Sequence, residues 1–353
     1  MTAQAIAARP PRAGGAVLVG AAGIAAAVAG TFFATGPLLE AWYVAFIVLS
    51  GIATGSLGLL MIGHLLSEDW LAPVRADAEA AALTMPLLLV LAAPLALGLE
   101  ALYPWARGAA GLPAARAAYL SEGFFLLRGG AYLVMWSALA VWLVFTRHPR
   151  CASAVGLAVL APTMTFAAND WVLSRDPNWW SSLFGFAFAL SQLLAALAGA
   201  IVASLLKRKH PSARRMQSLE RALLTLALLT LWTWFAQFII VWLANLPAEA
   251  AWYLARSGDR LWLKTLVALP ALVLAIVVLV PPGAGRMTMI AGGLLLLLHH
   301  AFHMLWLLRP AAETPLLSGL DMVVWSTLGV LWLAGYALSS RGLPFRKRTI
   351  ESS

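Results

Sequence analysis

The run Ala271-Leu272-Val273-Leu274-Ala275-Ile276-Val277-Val278-Leu279-Val280 decides the fold class. Every residue in it is apolar, so it lacks the alternation of lipid-facing and lumen-facing positions that a membrane barrel strand shows. Such a run crosses a bilayer as a helix, whose backbone satisfies its own hydrogen bonds. Similar runs recur along the chain, and hydrophobic residues take 62% of its 353 positions against 11% charged. That balance excludes a water-soluble globule of this length. A hydrocarbon core about 30 Å thick needs roughly 20 helical residues. Ten runs approach that length, near 15–34, 41–66, 81–104, 122–146, 152–171, 180–206, 222–244, 262–281, 286–306 and 319–339. The sequence therefore predicts an all-α polytopic membrane protein. A ten-helix membrane domain spans 15–339, between an N-terminal tail 1–14 and a basic C-terminal tail 340–353.

A net charge of +9 would suit a nucleic-acid binder, yet the placement of Lys and Arg follows the positive-inside rule and no nucleic-acid partner is expected. With the N-terminus in the cytoplasm, inner segments hold 16 basic residues, six of them in the Lys207–Arg221 loop. Outer segments hold 6, namely Arg107, Arg116, Arg175, Arg256, Arg260 and Arg309. Arg128 and Lys264 fall inside spans. Both termini are thus expected in the cytoplasm. Arg9-Pro10-Pro11-Arg12 precedes the first run, whose length favours an uncleaved span over a signal peptide. Cys151 is the single cysteine, so a Cys₄ iron–sulfur cluster, a Cys-x-x-Cys-His haem attachment and an internal disulfide are all excluded. Any such cofactor must reside on a partner.

The outer loops Arg107–Ser121 and Leu246–Arg260 mix Ala, Arg, Glu, Tyr and Trp and read as short interfacial helices. The basic Lys207–Arg221 loop reads as topology plus contact with anionic lipid. Spans two and six each open with an aromatic pair, Trp42-Tyr43 and Trp179-Trp180, which hints at a repeat. Span two carries Ser50-Gly51-x-x-Thr54-Gly55-Ser56-x-Gly58, small residues that let helix backbones approach closely. Room for a flat quinone ring is the alternative reading of that stretch.

Ionisable groups inside a span are costly and are the natural functional candidates. On this topology Glu100, Glu122, Arg128, Asp170, Lys264, His299, His300, His303 and Asp321 lie in the outer halves of their spans, with Asn169 and Gln237 at similar depth. Only His64 lies towards the inner end. Snorkelling accounts for Glu122, Lys264 and Asp321 as well as a function does. Arg128 is too deep to snorkel and needs a carboxylate, for which Glu100 and Asp170 are the candidates. His299, His300 and His303 share one broad helix face and could hydrogen-bond structurally, relay protons, contact a quinone or share a metal. The sharpest expectation is that Asp170 and these histidines line one outward-opening polar cavity.

The corner Asp170-Trp171-x-x-Ser174-Arg175-Asp176-Pro177-x-Trp179-Trp180-Ser181-Ser182-x-Phe184-Gly185 resembles one between two central helices of the membrane subunits of alternative complex III. Those subunits belong to the polysulfide-reductase-like, or NrfD-like, membrane anchors. A second stretch, Trp234-Phe235-x-Gln237-Phe238-x-x-x-Trp242-x-Ala244-Asn245-Leu246-Pro247-x-Glu249, looks like a segment of one of the NrfD-like membrane subunits of that complex. One departure is Asp176-Pro177-Asn178, where the family pattern would place a histidine after the proline. The resemblance covers the plan of ten spans and is motif-specific across spans five to eight.

What the resemblance implies is two four-helix bundles, spans 2–5 and 6–9, with spans 1 and 10 peripheral. It implies a subunit of a quinol-oxidising respiratory complex of the bacterial inner membrane, with no covalently bound cofactor, that is not an enzyme alone. Quinone or quinol is the implied small molecule. A sister NrfD-like subunit, extracytoplasmic iron–sulfur and haem c subunits and lipid are the implied partners. The implied quinone or proton residues are Asp170, Trp171, Trp179, Ser182, Gln237 and Asn245-Leu246-Pro247. With the span-based candidates, the full site set is Asp170, His299, His300, His303, Arg128, Glu100, Gln237, Asn169 and Trp179. Two alternatives stand beside this reading, a proton-coupled secondary transporter and a purely structural anchor. For the transporter, Pro86, Pro94, Pro162 and Pro270 are the candidate helix breaks.

Overall fold

A computed structural model describes residues 13–66, 70–108, 111–207, 211–309 and 317–352, and all its regular structure is helical. Ten helices dominate. They are α1 (Ala13–Phe32), α2 (Gly36–Leu66), α3 (Leu71–Leu97), α4 (Glu122–Phe145), α5 (Pro149–Trp171), α6 (Phe184–Leu206), α7 (Ala213–Ala244), α8 (Leu263–Leu279), α9 (Arg286–Leu308) and α10 (Gly319–Ser352). Among the described residues eight of them, α2 to α7, α9 and α10, are long and apolar enough to cross a bilayer. The apolar stretches Val17–Phe32 of α1 and Leu263–Leu279 of α8 are shorter. The expected multi-pass, all-α architecture is present, with eight helices of full spanning length where ten runs were predicted. Most of residues 1–14 lie outside the described part of the chain. Over residues 340–352 α10 simply continues as helix.

Helix ends follow local chemistry. Ser212 caps α7, its hydroxyl accepting from the Arg215 N–H at 3.4 Å. At the other end of α7, Asn245 adopts φ 49°, a left-handed cap that Asn tolerates, and Pro247 opens the next short helix, Pro247–Leu254. Asn245-Leu246-Pro247 is therefore a helix stop and restart. The loops expected to carry short helices do so, at Ala114–Tyr119 and Pro247–Leu254.

The largest differences at span starts are two. The third span begins at Leu71 rather than 81, and the seventh at Ala213 rather than 222. Both extensions are polar turns in which Asp77, Glu79 and Glu220 find partners distant in sequence or one turn away, which an apolar window does not register. Helix α3 breaks into Leu71–Ala82, Met85–Leu91 and Ala93–Leu97, with Pro86 and Pro94 in the first turns of the later pieces. Pro162 sits inside a continuous α5, and a π-helical turn, Leu263–Ala268, precedes Pro270.

Helix α2 packs on α3, α3 on α4, α4 on α5, and α5 back on α2. A second closed ring runs α6 to α7, α8, α9 and back to α6. The rings meet along α2 and α6, while α10 lies on α2 and α3, and α1 on α3 and α10. At the seam, a Cβ added to Gly55 would fall 2.3 Å from the backbone carbonyl oxygen of Gln192, and one on Gly51 would strike the Gln192 side chain. The small residues of α2 thus serve close packing. The space beside Ser50, Gly51 and Thr54 is only about 20 Å³, far too small for a quinone ring.

Candidate functional site

Polar side chains gather at the two ends of the helix rings. At the end that carries the Asp170 corner, Asp170 closes the last turn of α5 with 1% of its surface exposed. Arg128 of α4 takes both its oxygens, Nε to Oδ2 at 2.9 Å and Nη2 to Oδ1 at 3.0 Å. One turn further along α4, the Tyr132 hydroxyl donates to Oδ2 at 3.0 Å. The Arg128 guanidinium lies over the Tyr119 and Phe124 rings at 3.8 and 4.3 Å and donates to the Tyr119 carbonyl. Outside the spans, burial and the Asp170 charge push the Tyr119 phenol up to about 12. Arg128 therefore chooses Asp170 over Glu100, which is exposed and offers only its backbone carbonyl, to Arg107.

The corner beyond Asp170 is a set of braces. Tyr43 and Tyr103 both donate to the Trp171 carbonyl, at 2.9 and 3.0 Å. Arg175 is buried against Glu40 of α2 and also holds the Leu308 carbonyl at the end of α9. Asp176 pairs with Arg256 at 2.8 Å. Arg309 and Asp321 form a bidentate pair between α9 and the start of α10. Trp179 stacks on Trp252 at 4.6 Å and donates to the Glu249 carbonyl at 3.0 Å. These contacts tie the two rings together at one end.

The histidines lie elsewhere, in the second ring. The π-helical turn of α8 is wider than an α-turn, and such turns recur at functional sites. Here it carries Lys264, whose Nζ lies 2.9 Å from His303 Nδ1, and it presents the Ala268 carbonyl to His299 Nδ1 at 2.8 Å. The His299 and His303 rings stack 5.5 Å apart, and Trp306 continues the stack at 5.8 Å. Trp234 meets His303 edge-on at 4.6 Å. With Lys264 as donor, His303 carries its proton on Nε2. His299 donates Nδ1–H to the carbonyl, so its Nε2, which has no protein partner, is left as an acceptor.

Lys264 and His299 line a cavity of about 600 Å³ between α7, α8 and the helix Pro247–Leu254, with Trp234, Phe238, Trp242 and Tyr253 among its walls. Among the described residues no carboxylate pairs with Lys264. Behind the wall, Gln237 is 2% exposed and bridges Tyr253 and Ser181, each at 3.4 Å. Tyr253 lies outside the spans, and burial pushes its phenol up to about 12. It stays a hydroxyl at any working pH.

The expected single cavity is thus not formed. Asp170 is bound to Arg128 in the first ring, whereas His299 and His303 stand with Lys264 in the second. His300 shares neither environment, being buried with both ring nitrogens unpartnered. Asn169 is half-buried, and its Oδ1 also has no partner. Lys264 does not snorkel but turns inward to His303. Asp321 is an ion-pair member, and Glu122 is exposed.

Buried charge is not confined to the end that carries the Asp170 corner, as the sequence had suggested. At the opposite end Asp77 is 2% exposed and receives Lys207 at 2.6 Å and the Tyr336 hydroxyl at 2.5 Å. Glu79 pairs with Arg75, and Glu220 accepts from the Ala284 N–H at 2.8 Å. These acids lie in the polar turns that extend α3 and α7. Charged residues at helical spacing beside an apolar run were the available signal. No protein-family model matches the chain, and no curated protein matches it significantly.

Proposed function

We propose that the chain is an NrfD-like membrane component, of the alternative complex III type, in a quinol-oxidising respiratory complex. It has ten spans with both termini in the cytoplasm, and the Asp170 corner faces the outer side of the bacterial inner membrane. A sister NrfD-like subunit lies beside it. Partner iron–sulfur and haem c subunits above that face hold the redox centres.

The observation that carries this reading is the aromatic-walled cavity, with Lys264, His299 and Arg256 among its polar lining groups. A quinol head is a flat ring with hydroxyls on opposite edges. Its faces suit indole and phenyl walls, one oxygen can accept from Lys264, and one hydroxyl can donate to His299 Nε2. Oxidation releases two electrons and two protons. The electrons leave for the partner's clusters, and the imidazoles pass protons towards the corner face. Two further features agree. The closed contact rings α2–α5 and α6–α9, with α1 and α10 outside them, match the paired bundles of that family. The two stretches that carry the resemblance also touch, through Trp179 on Trp252 and Ser181 on Gln237.

The transporter reading has one observation in its favour, the broken α3. A cavity of about 320 Å³ does lie beside those breaks, but among the described residues its titratable lining groups are Tyr43 and Tyr103 alone. A transporter gathers its coupling-ion ligands where its helices break.

The test is Lys264→Met and His299→Gln in the native host, with complex assembly measured first and then quinol-driven reduction of the acceptor across pH. Assembled complex with turnover reduced on the order of 10²-fold is expected. Assembled variants that match wild type at every pH would reduce the subunit to a scaffold. Genes for multi-Cys iron–sulfur and haem c proteins beside this one would favour the complex, and an isolated gene the transporter.

A further inference from the structure

A separate site lies at the opposite end of the molecule, beside the basic Lys207–Arg221 loop. Helix α7 has 32 residues, about 48 Å of helix against about 30 Å of hydrocarbon, so it projects from the bilayer. Counting roughly 20 residues back from Ala244 puts the hydrocarbon boundary near Thr225. Arg221 then stands one turn beyond it, at the depth of lipid phosphates. Ser218, Arg221 and Thr225 fall at i, i+3 and i+7, on one face of α7. That face closes a cavity of about 330 Å³ shared with α2, α6 and Trp70.

Four donors meet there without an acceptor among the described residues. Arg221 makes no ion pair, and the Ser218 and Thr225 hydroxyls and the Trp70 indole N–H have no hydrogen-bond partner among the described residues. This is not the habit of the chain. Ser50, Thr54, Ser56, Ser191 and Thr233 each donate to a carbonyl of their own helix. Among the described residues no carboxylate lines the cavity, and Leu197 and Leu226 give it an apolar wall. A larger cavity at the same end, about 690 Å³ around His64, Arg75, Arg147 and Arg150, is richer in cations but less available. Glu79 holds Arg75, and none of the other three is free.

We propose that the groove between α2, α6 and α7 binds one anionic phospholipid. Arg221, Ser218, Thr225 and Trp70 hold its phosphate, and an acyl chain lies against Leu197 and Leu226. Inorganic phosphate offers the same headgroup chemistry without the chain, so the apolar wall selects the lipid. The site is independent of the quinol reading.

The experiment uses the full chain in detergent, stripped of native lipid. It is titrated with dioleoyl phosphatidylglycerol, with the phosphatidylcholine of the same chains, and with inorganic phosphate. Bound lipid is read by native mass spectrometry and by thermal shift. Phosphatidylglycerol is expected as a discrete one-to-one adduct, and phosphatidylcholine not, because its quaternary ammonium would sit beside Arg221 with no carboxylate among the described lining residues to receive it. Arg221→Gln should weaken the adduct about tenfold by removing a charge-assisted contact. Leu226→Trp, which fills the groove and leaves the guanidinium in place, should abolish it and decides the matter if Arg221→Gln does not fold. Arg150→Gln should leave it unchanged. Equal retention of the two lipids, or unaltered binding by both groove variants, would overturn the site. An equal shift with inorganic phosphate would overturn the lipid as its ligand.

Discussion

Two basic side chains at the same end of the molecule stand in opposite situations. Arg128, in the first ring, meets a carboxylate that accepts from both arms of its fork, with Tyr132 completing the site. Lys264, in the second, meets an imidazole and two indole rings, with Trp306 5.1 Å and Trp234 5.8 Å away. Burying a charge is costly unless it is paired. The Arg128–Asp170 pair is complete and needs no ligand, so it reads as a brace. Lys264 opens on a cavity with its electrostatics unfinished, which is what a site awaiting a polar ligand looks like. A buried charge is therefore informative about function only once its partner is known.

The contrast between the two regions breaks most visibly at Asp170. Removing one member of a buried pair costs about 3–5 kcal/mol, because the other charge is left behind. Asp170→Asn should accordingly lower thermal stability in detergent sharply. The double variant Arg128→Met/Asp170→Leu should be less damaging than Asp170→Asn alone. Equal stability of Asp170→Asn and wild type would mean that the pair is not a brace.

The seam between the rings comes next. Gly55→Ala would force a methyl group against the Gln192 carbonyl, where backbone must move, at a cost of about 1–3 kcal/mol. A melting temperature unchanged in Gly55→Ala would show that the rings meet less tightly than the geometry requires.

Lys264→Met should go the other way. An apolar chain of similar length removes an unpaired buried amine, so stability should hold or rise by about 1 kcal/mol while quinol turnover falls. Destabilisation as large as that of Asp170→Asn would erase the distinction between the two regions. The smallest effect is expected at Glu100→Gln, within about 0.5 kcal/mol, since that side chain is exposed and its carboxylate holds nothing. A larger change, read by the same melt, would restore Glu100 as a partner for Arg128.

Several features were legible in the pattern of the chain. Helix class and approximate spans follow from apolar runs, which any bilayer-crossing helix must have. The tight seam followed from Gly51 and Gly55, and the outer short helices from composition. The polar starts of α3 and α7 did not. Asp77, Glu79 and Glu220 look like loop residues until Lys207, Arg75 and the Ala284 amide are found beside them. Arg175, Arg256 and Arg309 entered the sequence reading only as loop charges, whereas the fold buries each in an ion pair.

By itself the sequence determined that this chain is helical, that it belongs in a bilayer, and which few ionisable side chains lie within its apolar segments. Each of these depends on one-dimensional hydrophobicity and the helical repeat. Only the tertiary structure decided that Asp170 belongs with Arg128 and that His299 and His303 belong with Lys264. Those side chains are far apart along the chain, and helical spacing fixes the direction of a side chain without naming what stands opposite it. The partner is chosen by which helices pack, and at the seam of the two rings that choice is made by close contact between backbones.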